Sequence, residues 1–107
     1  MAAPQSAVFV DDSSDTITGA VWAHVYDTPV DPSMVPERRG YIDGLVVAAD
    51  HRRQGIGSGL MDAAAAWAKA QGASQLVLTV WAGNTAARGF YQSLGYGLLS
   101  EVMNKIL

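Results

Sequence analysis

An α/β (α+β) domain with one mixed, twisted sheet and the element order β-β-β-α-β-α-β is predicted by three observations. Apolar residues recur at the strand period up to residue 47 and at the helical period after Gly55. Clusters of turn formers separate the runs, and a glycine stands where each helical pattern stops. The length of 107 residues, half of them hydrophobic and 16% charged, suits one domain with a feasible but thin core. Residues 1–107 are therefore read as a single domain, with no internal repeat and no linker.

Taken in order, residues 8–10 (VFV) are a short apolar run. Asp11, Asp12, Ser13, Ser14 and Asp15 follow as a cluster of side chains that bond their own backbone in turns. Residues 16–26 (TITGAVWAHVY) alternate and are rich in β-branched and aromatic types, so the two runs make a hairpin. Pro29, Pro32 and Pro36 forbid regular ladder bonding and make residues 27–39 a long loop. Arg38 and Arg39 at its end are read as solvating charge.

Residues 41–47 (YIDGLVV) are a strand, buried on both faces toward its end. Gly44 inside it marks a bulge or a close backbone approach. Ile56, Leu60, Ala63, Ala64 and Trp67 then share one helical face opposite Asp62 and Lys69, which assigns Trp67 to the core. Gly72 ends that helix. Residues 75–81 (QLVLTVW) are the next strand. Asn84 caps a second helix that turns Ala87, Phe90 and Leu94 inward and closes at Gly95. The mostly apolar residues 96–107 supply a last strand. The middle strand–helix–strand is a right-handed crossover by the general rule. Trp22 and Trp81 are assigned to packing ahead of a place in a pocket.

Composition excludes several classes. A net charge of −3 with a pI near 5.0 argues against a nucleic-acid surface. Cysteine is absent, so thiol nucleophiles, disulfides and cysteine-ligated zinc are out, and no metal is expected. No stretch approaches the roughly 18 unbroken apolar residues of a membrane span, and the first residues carry no basic cluster. A cytoplasmic location is the expectation.

Chemistry concentrates between the buried strand and the first helix, in His51-Arg52-Arg53-Gln54-Gly55-Ile56-Gly57-Ser58-Gly59. No good N-cap precedes Gly55, so first-turn N–H groups point outward at the positive end of the helix dipole. Glycines let a ligand approach that backbone closely, an arrangement suited to a phosphate or pyrophosphate. A Walker loop fails because no lysine follows the glycines. A dinucleotide fingerprint fails because Leu60 stands where its last glycine belongs, and Ser74 and Gln75 stand where its acidic residue belongs.

The spacing Arg52-x-x-Gly55-x-Gly57 after a buried strand resembles the acyl-CoA pyrophosphate loop of the GNAT superfamily of N-acetyltransferases. Asn84-x-x-Ala87-x-x-Phe90-Tyr91-x-x-x-Gly95-Tyr96 is similar to that superfamily's second cofactor motif, and the two stand in the family's order and separation. The early Thr18-Gly19 is similar to its second and third strands. The resemblance covers about residues 8–107. It implies a GNAT-like fold, abbreviated at its N-terminus, and acetyl-CoA as co-substrate. Leu45, Val46 and Val47 would then present backbone groups to the acetyl carbonyl and the pantetheine arm. Arg53, Gln54, Gly55, Ile56, Gly57 and Ser58 would surround the pyrophosphate, with Arg52 opening the motif. Asn84 would bond the pantetheine arm or hold the next loop. Tyr91 would stand by the sulfur as proton donor, staying protonated at neutral pH with an ordinary pKa near 10.

The activity so implied is transfer of an acetyl group to a primary amine of a small molecule or peptide by direct attack. The alternative is a catalytically silent acyl-CoA-binding module, acting as a sensor or partner subunit. Some family members carry a glutamate where this chain has Thr79, so the base falls to Asp43, with His24 as second candidate. The strand and helices that normally wall the acceptor site have no counterpart before residue 41, so the residues leave the amine open. Without them the strand at residues 8–10 lies at a sheet edge, and Val21 or Trp22 lies on an uncovered face. A homodimer is the expected remedy.

Overall fold

Alternation along the first two strands builds a hairpin whose inner face is uniformly apolar. The computed structural model describes residues 5–12, 16–28, 36–52 and 55–107. β1 (Ser6–Asp11) pairs antiparallel with β2 (Gly19–Asp27), Val8 opposite Trp22 and Val10 opposite Ala20. Beside its turn, the Thr18 N–H and hydroxyl both donate to Asp11, to its carbonyl at 2.8 Å and its carboxylate at 2.5 Å. β3 (Arg38–Val47) pairs antiparallel with β2, and β4 (Gln75–Val77) pairs parallel with β3. The sheet order is β1-β2-β3-β4, so β1 is an edge strand, with Val8 and Val10 exposed.

The parallel pairing requires a crossover, which α1 (Ile56–Ala70) supplies. Leu60, Met61 and Ala64 of its inward stripe meet Val21 and Ala23 of β2 and Ile42 of β3, and Ala68 and Val25 are buried as well. Close contact of helix and sheet depends on Gly40. A Cβ there would lie 2.9 Å from Ala68 Cβ and from a Leu76 methyl. After β4, α2 (Thr85–Ser93) follows, with Phe90, Tyr91 and Leu94 against the edge of the core.

Several expectations are revised. Only residues 75–77 of the expected 75–81 strand pair with the sheet, and residues 96–107 form no strand. Trp81 is 84% exposed and packs in no core, whereas Trp67 packs against the core as expected. Val21 is fully buried beneath α1, so it does not lie on an uncovered face; Trp22, its neighbour, does. Pro29 and Pro32 lie outside the described residues.

β3 and β4 are fastened at one end only. The Glu37 carboxylate accepts from Arg39 Nε at 2.5 Å, Ser74 Oγ at 3.0 Å and Gln75 Nε2 at 3.0 Å. The Ser74 N–H donates to the Arg38 carbonyl at 2.9 Å, and Arg38 itself reaches Asp27 and the Gln71 carbonyl. Arg38 and Arg39 thus make specific contacts and are not mere solvating charge. Strand pairing runs only from Arg39–Gln75 to Tyr41–Val77, and the Tyr41 and Thr79 hydroxyls then meet at 2.5 Å. Beyond that point the two strands part, and residues 42–47 have no strand on their outer side among the described residues.

This packing makes stability testable at two positions. Met61 is 2% exposed at the centre of the helix–sheet contact, so Met61→Ala lowers the unfolding free energy by about 2–5 kcal/mol, as read by urea denaturation. The hydrogen bond from Arg39, with that from Ser74, holds the Glu37 carboxyl below the ordinary glutamate range. A depressed folded pKa gives stability above the unfolded pKa that is lost as pH falls through the folded one. The melting temperature therefore drops on acidification through the glutamate range. Glu37→Gln makes that drop shallower without abolishing it, because Asp27, held down by its bond from Arg38, has the same sign.

Candidate functional site

The parting of β3 from β4 turns backbone groups into an opening that no strand fills among the described residues. A bulge sets which ones. Trp22 pairs with Gly44 and Ala23 with Ile42, leaving Asp43 as the extra residue on β3. Gly44 is required there, because a Cβ would collide with the Trp22 ring. Ladder groups alternate sides along a strand. The Val46 carbonyl lies against β2 at Gly19, whereas the Val47 carbonyl turns outward and accepts from Arg52 Nε at 3.2 Å. Leu45 and Val47 therefore aim their backbone groups into the opening and Val46 does not. The Val46 side chain is 55% exposed, and that of Leu45 packs against the core.

A 3-10 turn over Ala49–His51 leads toward the start of α1, with Arg52 between; Arg53 and Gln54 lie outside the described residues. Gly55 sits at the helix N-cap with φ +79°, a left-handed conformation that glycine adopts without steric cost, and no side chain caps the helix. The first intrahelical bond runs from the Gly59 N–H to the Gly55 carbonyl at 3.0 Å. The N–H groups of Ile56, Gly57 and Ser58 are thus left without acceptors among the described residues. Gly57 lies where the end of β3 meets α2: a Cβ there would sit 3.4 Å from the Phe90 ring and 3.6 Å from a Val47 methyl. The opening and the uncapped helix start consequently share one wall.

On α2, Asn84 is the expected cap: its side-chain oxygen accepts from the Ala87 N–H at 3.1 Å, leaving its amide N–H groups for other partners. Tyr91 is half-buried between Phe90 and Tyr96, ring centroids 5.1 and 5.8 Å away. Burial pushes its phenol above the ordinary tyrosine value. The group is a proton donor throughout the neutral range.

The sheet face away from α1 carries the two carboxylate and imidazole candidates together. His24 Nδ1 donates to Asp43 Oδ2 at 2.8 Å, since a carboxylate has only acceptors to offer. That bond leaves His24 Nε2 as the free ring nitrogen, and both side chains keep over a third of their surface in solvent. The Tyr26 and Tyr41 rings flank the imidazole at 5.9 and 5.6 Å. The bulge carries this pairing: the extra residue swings Asp43 toward His24, whose strand partner is Tyr41. Sequence reasoning treats Asp43 and His24 as alternatives, and they form one hydrogen-bonded pair. It misses Glu37 altogether, for which the only sequence signal is an acid beside Arg38 and Arg39.

Among the described residues no cluster of histidine and acidic side chains is arranged to hold a metal ion. No helix among them is long and apolar enough to cross a membrane.

Residues 1–96 match the Acetyltransferase (GNAT) family. The chain is 33% identical over 91 residues to human N-acetyltransferase 8, covering 85% of this chain and 38% of that protein. It therefore spans well under half the length of that curated relative. Among solved structures, a mutant of the BH1408 protein from Bacillus halodurans superposes with a TM-score of 0.87 at 31% identity, over 96% of this chain and 66% of that one. Aminoglycoside N-acetyltransferase AAC(6')-Iy, solved in complex with CoA, has the same fold, with a TM-score of 0.83 at 19% identity over 98% of this chain and 78% of that one. The splayed strands, the uncapped glycine start of α1 and these matches agree: the chain belongs to the GNAT acetyltransferase family.

Proposed function

We propose that this domain is an acetyl-CoA-dependent N-acetyltransferase that acetylates a primary amine of a small molecule or peptide by direct attack. The observation that carries the reading is the opening between β3 and β4, with the N–H groups of Ile56, Gly57 and Ser58, unpaired among the described residues, at its wall. An extended arm with amide groups, such as pantetheine, fits the outward groups of Leu45 and Val47 as a missing strand would. A pyrophosphate fits the helix start, where backbone N–H groups and the dipole favour negative charge. The CoA bound by the AAC(6')-Iy neighbour supports this choice of co-substrate. In this reading Gly55 and Arg52 shape the loop, Arg53 and Gln54 complete it, and Asn84 holds the arm with its free amide.

The thioester supplies the acetyl group, and this chain supplies position and protons. The Leu45 N–H donates to the carbonyl oxygen as it gains charge. His24 Nε2, oriented by Asp43, takes a proton from the acceptor's nitrogen as the C–N bond forms. His24 stands three residues along β2 from Val21, the strand partner of Leu45, about 10 Å away, so bridging water carries the proton across that gap. Tyr91 gives its proton to the departing thiolate as the C–S bond breaks, and its raised pKa keeps that proton in place beforehand. The hydrogen-bonded pair favours the enzyme over a silent acyl-CoA-binding module, which needs no base.

Two predictions test this. Ser58 lies in the first turn of α1, where an added carboxylate suits the helix dipole and repels a pyrophosphate. Ser58→Glu keeps or raises the melting temperature and weakens acetyl-CoA binding at least tenfold by calorimetry; unchanged affinity would sink the loop assignment. Tyr91→Phe and His24→Ala each lower turnover by about 10²–10⁴-fold, with little change in acetyl-CoA affinity. A full rate in both, with chemistry rate-limiting, would remove Tyr91 and His24 from the mechanism, whereas acetyl-CoA binding by the unaltered chain with no release of free coenzyme A to any amine would point to the silent module.

A further inference from the structure

The sheet face away from α1 carries an indole beside the reacting end of the opening. Trp22 stands opposite Gly44 across β2 and β3, and its ring lies over that glycine: a Cβ on Gly44 would collide with Cζ2, Cε2 and Cη2. The side chain therefore leaves β2, crosses β3 and ends with its benzo ring toward the opening on the far side of β3. Gly44 directly precedes Leu45, so the ring borders the peptide whose N–H is aimed at the thioester carbonyl. One face of the indole rests on glycine, and Trp22 is still 39% exposed, which leaves ring surface for a ligand.

A second indole stands across the opening. Leu78 packs against the core, the Thr79 hydroxyl meets that of Tyr41 on the outer face, and exposure alternates through residue 80 to Trp81. By that alternation Trp81 shares the face of Thr79 and Tyr41, and it is 84% exposed. The two lips of the opening thus each carry an indole, and the exposed Val8 and Val46 extend the apolar surface on the side of Trp22. Apolar surface left in water around a cleft marks a binding groove.

Charge selects what lies against it. Asp43, the acid on this surface, is committed to His24, while Asp27 and Glu37 at the closed end are committed to Arg38 and Arg39. A second positive charge on the acceptor meets no uncommitted carboxylate among these, whereas a flat apolar body meets ring faces on which it stacks. Leu45 lies one residue, about 3.3 Å, beyond Gly44, so a short spacer suffices between a stacked ring and the reacting amine.

We propose that Trp22 and Trp81 determine specificity by gripping the aromatic ring of an aralkylamine acceptor, whose spacer places its amine at the thioester. This assignment rests on the acetyltransferase reading and adds to it the class of amine.

Release of free coenzyme A by the full chain should be measured with 2-phenylethylamine, hexylamine and 1,4-diaminobutane. The kcat/KM for 2-phenylethylamine should exceed that for each of the others about tenfold. Trp22→Ala and Trp81→Ala should each raise its KM about tenfold, with kcat, acetyl-CoA affinity and the KM for hexylamine little changed. Trp22→Phe, which keeps a flat ring, should recover most of the loss. Equal or better use of hexylamine, the diamine or any other non-aromatic amine overturns the proposal and leaves the acetyltransferase reading standing, a comparison that needs no variant to fold. Preference for the diamine would mean that the indoles hold a second ammonium by cation–π attraction instead. An unchanged KM in either alanine variant also overturns it. Acetyl-CoA binding with no release to any amine overturns the reading and the proposal together.

Discussion

The site depends on two parallel strands being fastened at one end and free at the other. A parallel pair left to itself closes its ladder along its length, because unpaired backbone groups are costly wherever water is excluded. Here Glu37 gathers Arg39, Ser74 and Gln75 at the closed end, and the Tyr41 and Thr79 hydroxyls mark the last contact before the strands part. Everything beyond that hinge is a consequence. Leu45 and Val47 turn their backbone groups outward to no strand, and α1 starts at their ends with its first amides without acceptors, among the described residues. A clamp made of charged and polar side chains thus holds open a backbone surface.

Opposite the helix, the bulge at Asp43 has a second effect. An inserted residue on β3 shifts the side-chain alternation, so Ile42 and Leu45 both serve the core although they are three positions apart. The same shift places Asp43 beside His24 and lets Trp22 lie across Gly44. One backbone irregularity therefore keeps the core apolar, builds the imidazole–carboxylate pair and leaves room for an indole. In a regular strand those three outcomes conflict, because side chains on a strand obey a strict period of two.

Much of this was legible in the residues. The switch from the strand period to the helical period, the proline-bearing loop and the glycines at 55, 72 and 95 place the elements within a few positions. Those signals are local: each reflects what a few consecutive residues do to their own backbone. Asn84 as a cap and Gly55 as an uncapped start were readable for the same reason, and Gly44 announced an irregularity in its strand. The length of β4 was not readable, since residues 78–81 are as strand-like as 75–77. Their pairing ends because the neighbouring strand diverges, which no property of Leu78 or Trp81 encodes.

By itself the sequence determined the fold class, the crossover helix and the glycine-lined turn at its start, because propensity and hydrophobic period act over short distances. Only the tertiary structure decided that His24 and Asp43 act as a pair, that Arg38 and Arg39 belong to a clamp, and that Leu45 rather than Val46 faces the opening. Each of those depends on strand register across the sheet, between residues 19 or more positions apart in the first case and on the far side of a bulge in the last. Register is a property of two strands together. A single residue's slip inverts which side chains and backbone groups face the site, so no strand alone can specify it.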